Sequence, residues 1–148
     1  MQQIGYLPQE KFIPSTLRVS QVLRHHRITP DTLIESFPDF KNLIQHRVTQ
    51  LSGGLLRVLE VVIILKSEKT FVMLDEPFSG IMPLHVEIIK QLIADEKTRK
   101  GIIISDHLYQ HALDLADVTY LLNDGKTYKI KDVEELVFRG YLGSSTSK

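Results

Sequence analysis

A chain of 148 residues with no cysteine can bury one sizeable core and excludes disulfide and thiolate chemistry. Its 18 lysines and arginines balance 18 aspartates and glutamates, so no global basic field recruits nucleic acid. Apolar content of 43% and charged content of 24% are those of a soluble globular domain, the nearly apolar run Leu55 to Leu65 is too short to span a bilayer, and Met1-Gln2-Gln3 opens no signal peptide.

Taken in chain order, Ile4 to Leu7 reads as a brief strand stopped by Pro8, with Gln9 just beyond it. From Ser15 to Gln50 the helical patterns are short and interrupted: Ser20 to His26, a start at Thr29-Pro30 carrying Asp31 to Phe37, then Lys41 to Arg47. Adjacent histidines such as His25-His26 do not share a helix face, which argues for a solvated pair rather than a metal site. Leu51-Ser52-Gly53-Gly54 opens a helix that Ser52 can cap, with its positive end aimed at whatever binds there. A buried strand, Phe71 to Leu74, then delivers Asp75-Glu76 to a sheet edge before Pro77. Phe78 to Pro83 is a loop, and the stretch Leu84 to Lys97 sets Leu84, Ile88, Ile89, Leu92 and Ile93 at helical spacing. Gly101 to Ser105 is a short buried strand ending in Asp106-His107. Tyr109 to Asp117 reads as helix, Val118 to Leu122 as strand, Asn123-Asp124-Gly125 as a turn into Lys126 to Ile130, and Asp132 to Phe138 as a last helix. The tail 143–148 is small and polar, a frayed end by composition. Strands alternating with helices predict an α/β fold with a mostly parallel sheet.

An anion-binding helix start followed by a strand carrying two carboxylates outlines a nucleotide triphosphatase. LSGG, then LDEP, then SDH, in this order and spacing, resembles the signature motif, Walker B strand and switch histidine of ATP-binding cassette (ABC) ATPases, and IGYLPQ resembles the strand into their Q-loop. SDH and the Gly-Ile-x-Pro loop after LDEPFS are most similar to the lipopolysaccharide-export and branched-chain amino acid branches. The resemblance implies an incomplete P-loop NTPase fold: one domain over 1–148, with a helical subdomain at 15–50 and a signature, Walker B and histidine core at 51–142.

It also implies roles. ATP and Mg2+ would be the cofactors, with Asp75 and Gln9 at the metal, Glu76 as general base, and His107 at the γ-phosphate. Ser52, Gly53 and Gly54 would act in trans on nucleotide held by a second ABC ATPase subunit, in a homo- or heterodimer. A transmembrane permease would be the other partner. The chain would then be cytoplasmic and peripheral at the inner face of the cell membrane, reaching the membrane only through that partner.

Two departures stand out. No G-x-x-x-x-G-K-[ST] phosphate loop occurs in the 148 residues. Leu55 and Met82 occupy positions that are usually polar in the family. Three readings follow: an energy-coupling ATP hydrolase represented by an incomplete chain, a non-catalytic interaction module lending its LSGG signature to a complete ABC partner, or a remnant without a role. Gln9, Asp75, Glu76 and His107, all intact, argue against the last.

Overall fold

The computed structural model describes residues 4–107 and 109–138. In chain order these form β1 (Ile4–Leu7), α1 (Val19–His25), α2 (Pro30–Ser36), α3 (Gly53–Leu65), β2 (Phe71–Asp75), α4 (Pro83–Glu96), β3 (Gly101–Ser105), α5 (Tyr109–Leu115), β4 (Thr119–Asn123), β5 (Lys126–Ile130) and α6 (Val133–Phe138). Short 3-10 turns at Pro38–Asn42 and Val48–Gln50 complete the helical stretch between β1 and α3. Residues 1–112 form one compact unit and residues 113–148 a second.

In the first unit β1, β2 and β3 make a parallel sheet in that order. Leu7 pairs with Leu74 and Asp75 with Ser105, so the three strands finish along one edge. α3 lies against β1, β2 and α4, and every residue from Leu56 to Leu65 is buried, Arg57 and Glu60 included. A helix apolar on all sides belongs in a core, and this one is its centre.

The strands are not buried on both faces as predicted. Leu7, Val72 and Leu74 are covered, whereas Ile4, Tyr6, Phe71, Met73 and Ile103 share the opposite face and stand 41% to 59% exposed. A period-2 strand made wholly of apolar residues does not reveal in its sequence that one face is bare. Among the described residues β3 pairs only with β2, which leaves one edge of its backbone open. Such a surface templates association. The chain is therefore expected to self-associate at micromolar concentration and to take up the dye ANS while folded. Sedimentation velocity showing a dye-free monomer would contradict this.

The helical stretch has a small core of its own, with Val19, Val22, Leu23, Leu33, Phe37 and Phe40 all buried. Thr29 caps α2 by accepting from the Thr32 N–H. No α-helix forms over Lys41 to Arg47, contrary to its pattern. The carbonyls of Ile44 and His46 accept the first N–H groups of α1, from Ser20 and Val19, so tertiary hydrogen bonds take the acceptors a local helix would use. His85 of α4 anchors this stretch, bonding Asp39 at 3.1 Å and meeting the Phe37 ring edge-on.

α4 also departs from its predicted stripe. Its buried face is His85, Val86, Ile89, Leu92, Ile93 and Glu96, while Leu84 is 69% exposed. Glu96 and Lys100 close the far end of the core. Lys100 Nζ donates to the carbonyls of Leu65 and Ser67, and Glu96 pairs with Lys66 at 3.0 Å, Arg99 at 2.6 Å and Lys100 at 3.6 Å. Burial pushes the Glu96 carboxyl up, but bonds from Arg99 and Lys66 and the charges of Lys66 and Lys100 outweigh it and hold the pKa below the ordinary value.

In the second unit β4 and β5 form an antiparallel hairpin, joined by Asp124 and Gly125 in left-handed conformations that suit a two-residue turn. Among its described residues Leu121, Ile130 and Leu136 are buried. The frayed tail expected at 143–148 lies outside the described residues.

Candidate functional site

The common finish of the parallel strands assembles the site, as is usual in open α/β sheets. Gln9 follows β1, Asp75 ends β2 with Glu76 next, and His107 lies two residues past β3. Gln9 Nε2 donates to Glu76 Oε2 at 3.0 Å, and His107 Nδ1 lies 3.2 Å from Glu76 Oε1. One carboxylate thus gathers two side chains delivered by two other strands. Asp75 is held separately: its Oδ1 accepts from Ser105 Oγ at 2.5 Å and its Oδ2 from Tyr6 Oη at 3.3 Å.

Glu76 has a left-handed backbone, with φ of 48°. That geometry costs a non-glycine residue about 1–2 kcal/mol and persists only where neighbours hold it. Its N–H donates to the Ser105 carbonyl at 2.7 Å, one bond beyond the β2–β3 ladder, and its carbonyl accepts the Ser79 N–H at 3.2 Å.

At the start of α3 the Ser52 hydroxyl accepts from the Leu55 N–H at 3.2 Å, the predicted cap. The two glycines behind it differ. A Cβ on Gly53 would meet nothing within 4 Å, whereas one on Gly54 would stand 2.8 Å from the Gly80 carbonyl oxygen. Gly53 leaves room for a ligand; Gly54 is small because the 79–81 loop lies against it. Gly54→Ala is expected to destabilise the chain by about 1–3 kcal/mol, since backbone must move. Gly53→Ala should be neutral or stabilising by about 0.5 kcal/mol, because it restricts the unfolded chain. Thermal melts of the two variants check this contrast, and equal losses would contradict it.

Four further residues shape the site without having been singled out in the sequence. Tyr6 and Ser105 hold Asp75. Arg57, 7% exposed, donates to the carbonyls of Pro8 at 2.7 Å, Asp75 at 2.5 Å and Glu76 at 3.2 Å, and pairs with Glu60 at 3.3 Å. Glu60 in turn accepts the Phe12 N–H at 3.1 Å, in the loop after Gln9. Opposite charges three residues apart inside an otherwise apolar helix were the available signal, because buried charges must be paired.

Among the described residues no three histidine, aspartate or glutamate side chains form a metal cage. His25 and His26 touch edge-on at 5.2 Å, and burial, then the His25 charge, lowers the His26 pKa. The donor at the strand ends is a hard oxygen, the Asp75 carboxylate, which the Ser105 and Tyr6 hydroxyls orient. Such a donor fits magnesium carrying most of its shell as water and phosphate. Among the described residues no helix is long and apolar enough to cross a membrane.

No family model matches the chain. It is 34% identical to the lipopolysaccharide export system ATP-binding protein LptB of Haemophilus influenzae, over 95% of this chain and 65% of that protein. It is also 34% identical to a probable ABC transporter ATP-binding protein of Azorhizobium caulinodans, over 90% of this chain and 52% of that one. The chain therefore spans between about half and two thirds of these relatives' length. A solved ATP-binding subunit of an ABC transporter superposes with a TM-score of 0.75 at 18% identity, covering 97% of this chain and 64% of that one.

Proposed function

We propose, from the premise that the chain belongs to the ABC family of ATP-binding proteins, that it carries the hydrolytic end of an ABC transporter ATPase and couples ATP hydrolysis to transport. One observation supports this reading above the rest: Gln9 and His107 meet on the two oxygens of Glu76 while Asp75 stands beside it. Phosphoryl transfer to water needs placed charge more than covalent help. Glu76 takes the proton from the attacking water. Gln9, a neutral donor at the exposed side of that carboxylate, orients the same water. His107 stands where charge develops on the γ-phosphate. Asp75 would hold magnesium, which, when bound, neutralises phosphate charge.

Ser52 and Gly53 face outward at the start of the 13-residue α3 and present its positive end to nucleotide held by a second ABC subunit. A membrane-embedded permease is the partner through which the chain reaches the inner face of the membrane. Hydrolysis also needs a phosphate loop, and the 148 residues contain no G-x-x-x-x-G-K-[ST]. The open, exposed start of α3 also fits a second reading, in which the chain lends its signature to a complete partner and hydrolyses nothing itself.

Joining the chain to the phosphate-loop region of the Haemophilus relative separates the two. The first reading expects the fusion to hydrolyse Mg-ATP, while the chain alone neither binds it at micromolar concentration nor turns it over. A soluble fusion that binds ATP without hydrolysing it would favour the second.

A further inference from the structure

We propose that Arg57 is a positioning residue that holds Glu76 in its left-handed conformation and thereby aims its carboxylate at Gln9 and His107. The inference rests on the reading of Glu76 as the base. Its evidence is the set of acceptors that one buried guanidinium collects. These are the carbonyl of Pro8, immediately before Gln9, and the carbonyls of Asp75 and Glu76 themselves. The two segments that supply Gln9 and Glu76 are thus tied to one side chain on α3, through backbone rather than through the reacting groups. Glu60 fixes that side chain from one turn along the same helix and also takes the Phe12 N–H beyond Gln9.

The strain at Glu76 explains what the clamp does. A residue at φ of 48° returns to ordinary geometry unless its peptide oxygens are held. Arg57 Nη2 bonds the carbonyls on both sides of the Glu76 α-carbon, those of residues 75 and 76. These two peptides set the φ and ψ of Glu76, so fixing both fixes the direction in which its side chain leaves the chain. Lysine would keep the charge beside Glu60, but its ammonium lacks the planar fork that reaches several carbonyls at once.

Hydrogen exchange read by mass spectrometry on the full chain tests this without nucleotide. Arg57→Lys is expected to speed exchange of the Glu76 and Ser79 amides about tenfold or more, while the Val72 to Leu74 amides stay within about twofold. In a Glu76→Gly background the left-handed residue needs no holding, and the same Arg57→Lys change should leave exchange at positions 76 and 79 unaltered. A role limited to packing would speed α3 and β2 together and would act equally in the glycine background. Either of those results, or unchanged exchange at Glu76, overturns the proposal. Should Arg57→Lys not fold, Glu60→Gln asks the same question by freeing the guanidinium from its anchor. It should speed the same two amides, and a null result there counts against the proposal equally. Because no ATP enters the measurement, an inactive fusion would count against the proposed function and leave this result standing.

Discussion

Glu76→Gln, placed in the chain fused to a phosphate-loop segment, is expected to stop ATP turnover while ATP still binds. The loss should be about 10²–10⁴-fold in kcat, the contribution of a positioned general base. The amide keeps the shape of the carboxylate but cannot take the proton from water. It also replaces one of the two oxygens that Gln9 Nε2 and His107 Nδ1 approach at 3.0 and 3.2 Å with an NH2 group. The variant should therefore collect as an ATP-bound species, seen as labelled nucleotide retained through gel filtration. Turnover near the parent rate would remove Glu76 from the base role.

Glu96→Gln is the stability counterpart, expected to cost about 3–5 kcal/mol, the usual result of breaking a buried ion pair from one side. Glu96 is 3% exposed, and its loss leaves Lys100, itself 8% exposed, without its counter-charge. Against a total of about 5–15 kcal/mol this is a large fraction. The same residue sets an acid limit. Its carboxyl titrates lower in the folded chain than its ordinary value of 4.5, so the unfolded chain binds the proton first as pH falls. Its contribution is fully present above about 4.5 and is lost as pH drops through the lower, folded value. Circular dichroism melts across that range should show the parent losing stability and Glu96→Gln losing less. A flat difference between the two would place the effect elsewhere.

The gathering of the candidate site residues was legible in the sequence because they sit at the ends of parallel strands. Gln9, Asp75, Glu76 and His107 each lie at or just past the end of an apolar run, and parallel pairing with Asp75 opposite Ser105 brings such ends together whatever separates them in the chain. The pairing of Arg57 with Glu60 could be read from their spacing, but the groups they hold could not. In a linear reading the two residues interrupt an apolar helix, and what they bind lies 49 and 48 residues back at Pro8 and Phe12. Glu96 and Lys100 look like a solvated helix end for the same reason, since only Leu65, Lys66 and Ser67 show why they are buried. At Lys41 to Arg47 the local pattern was helical, and the amides of α1 took the carbonyls first. Tertiary partners decided each case, and these do not appear in a window of neighbours.

The contact between Gly54 and the Gly80 carbonyl has a mechanical meaning. Where two elements meet through side chains, rotamers give way and absorb small displacements. Here main chain bears on main chain, with a would-be Cβ only 2.8 Å from the opposing oxygen. There is no cushion. The loop after Glu76 and the start of α3 thus meet main chain to main chain, with Arg57 one turn further along the same helix.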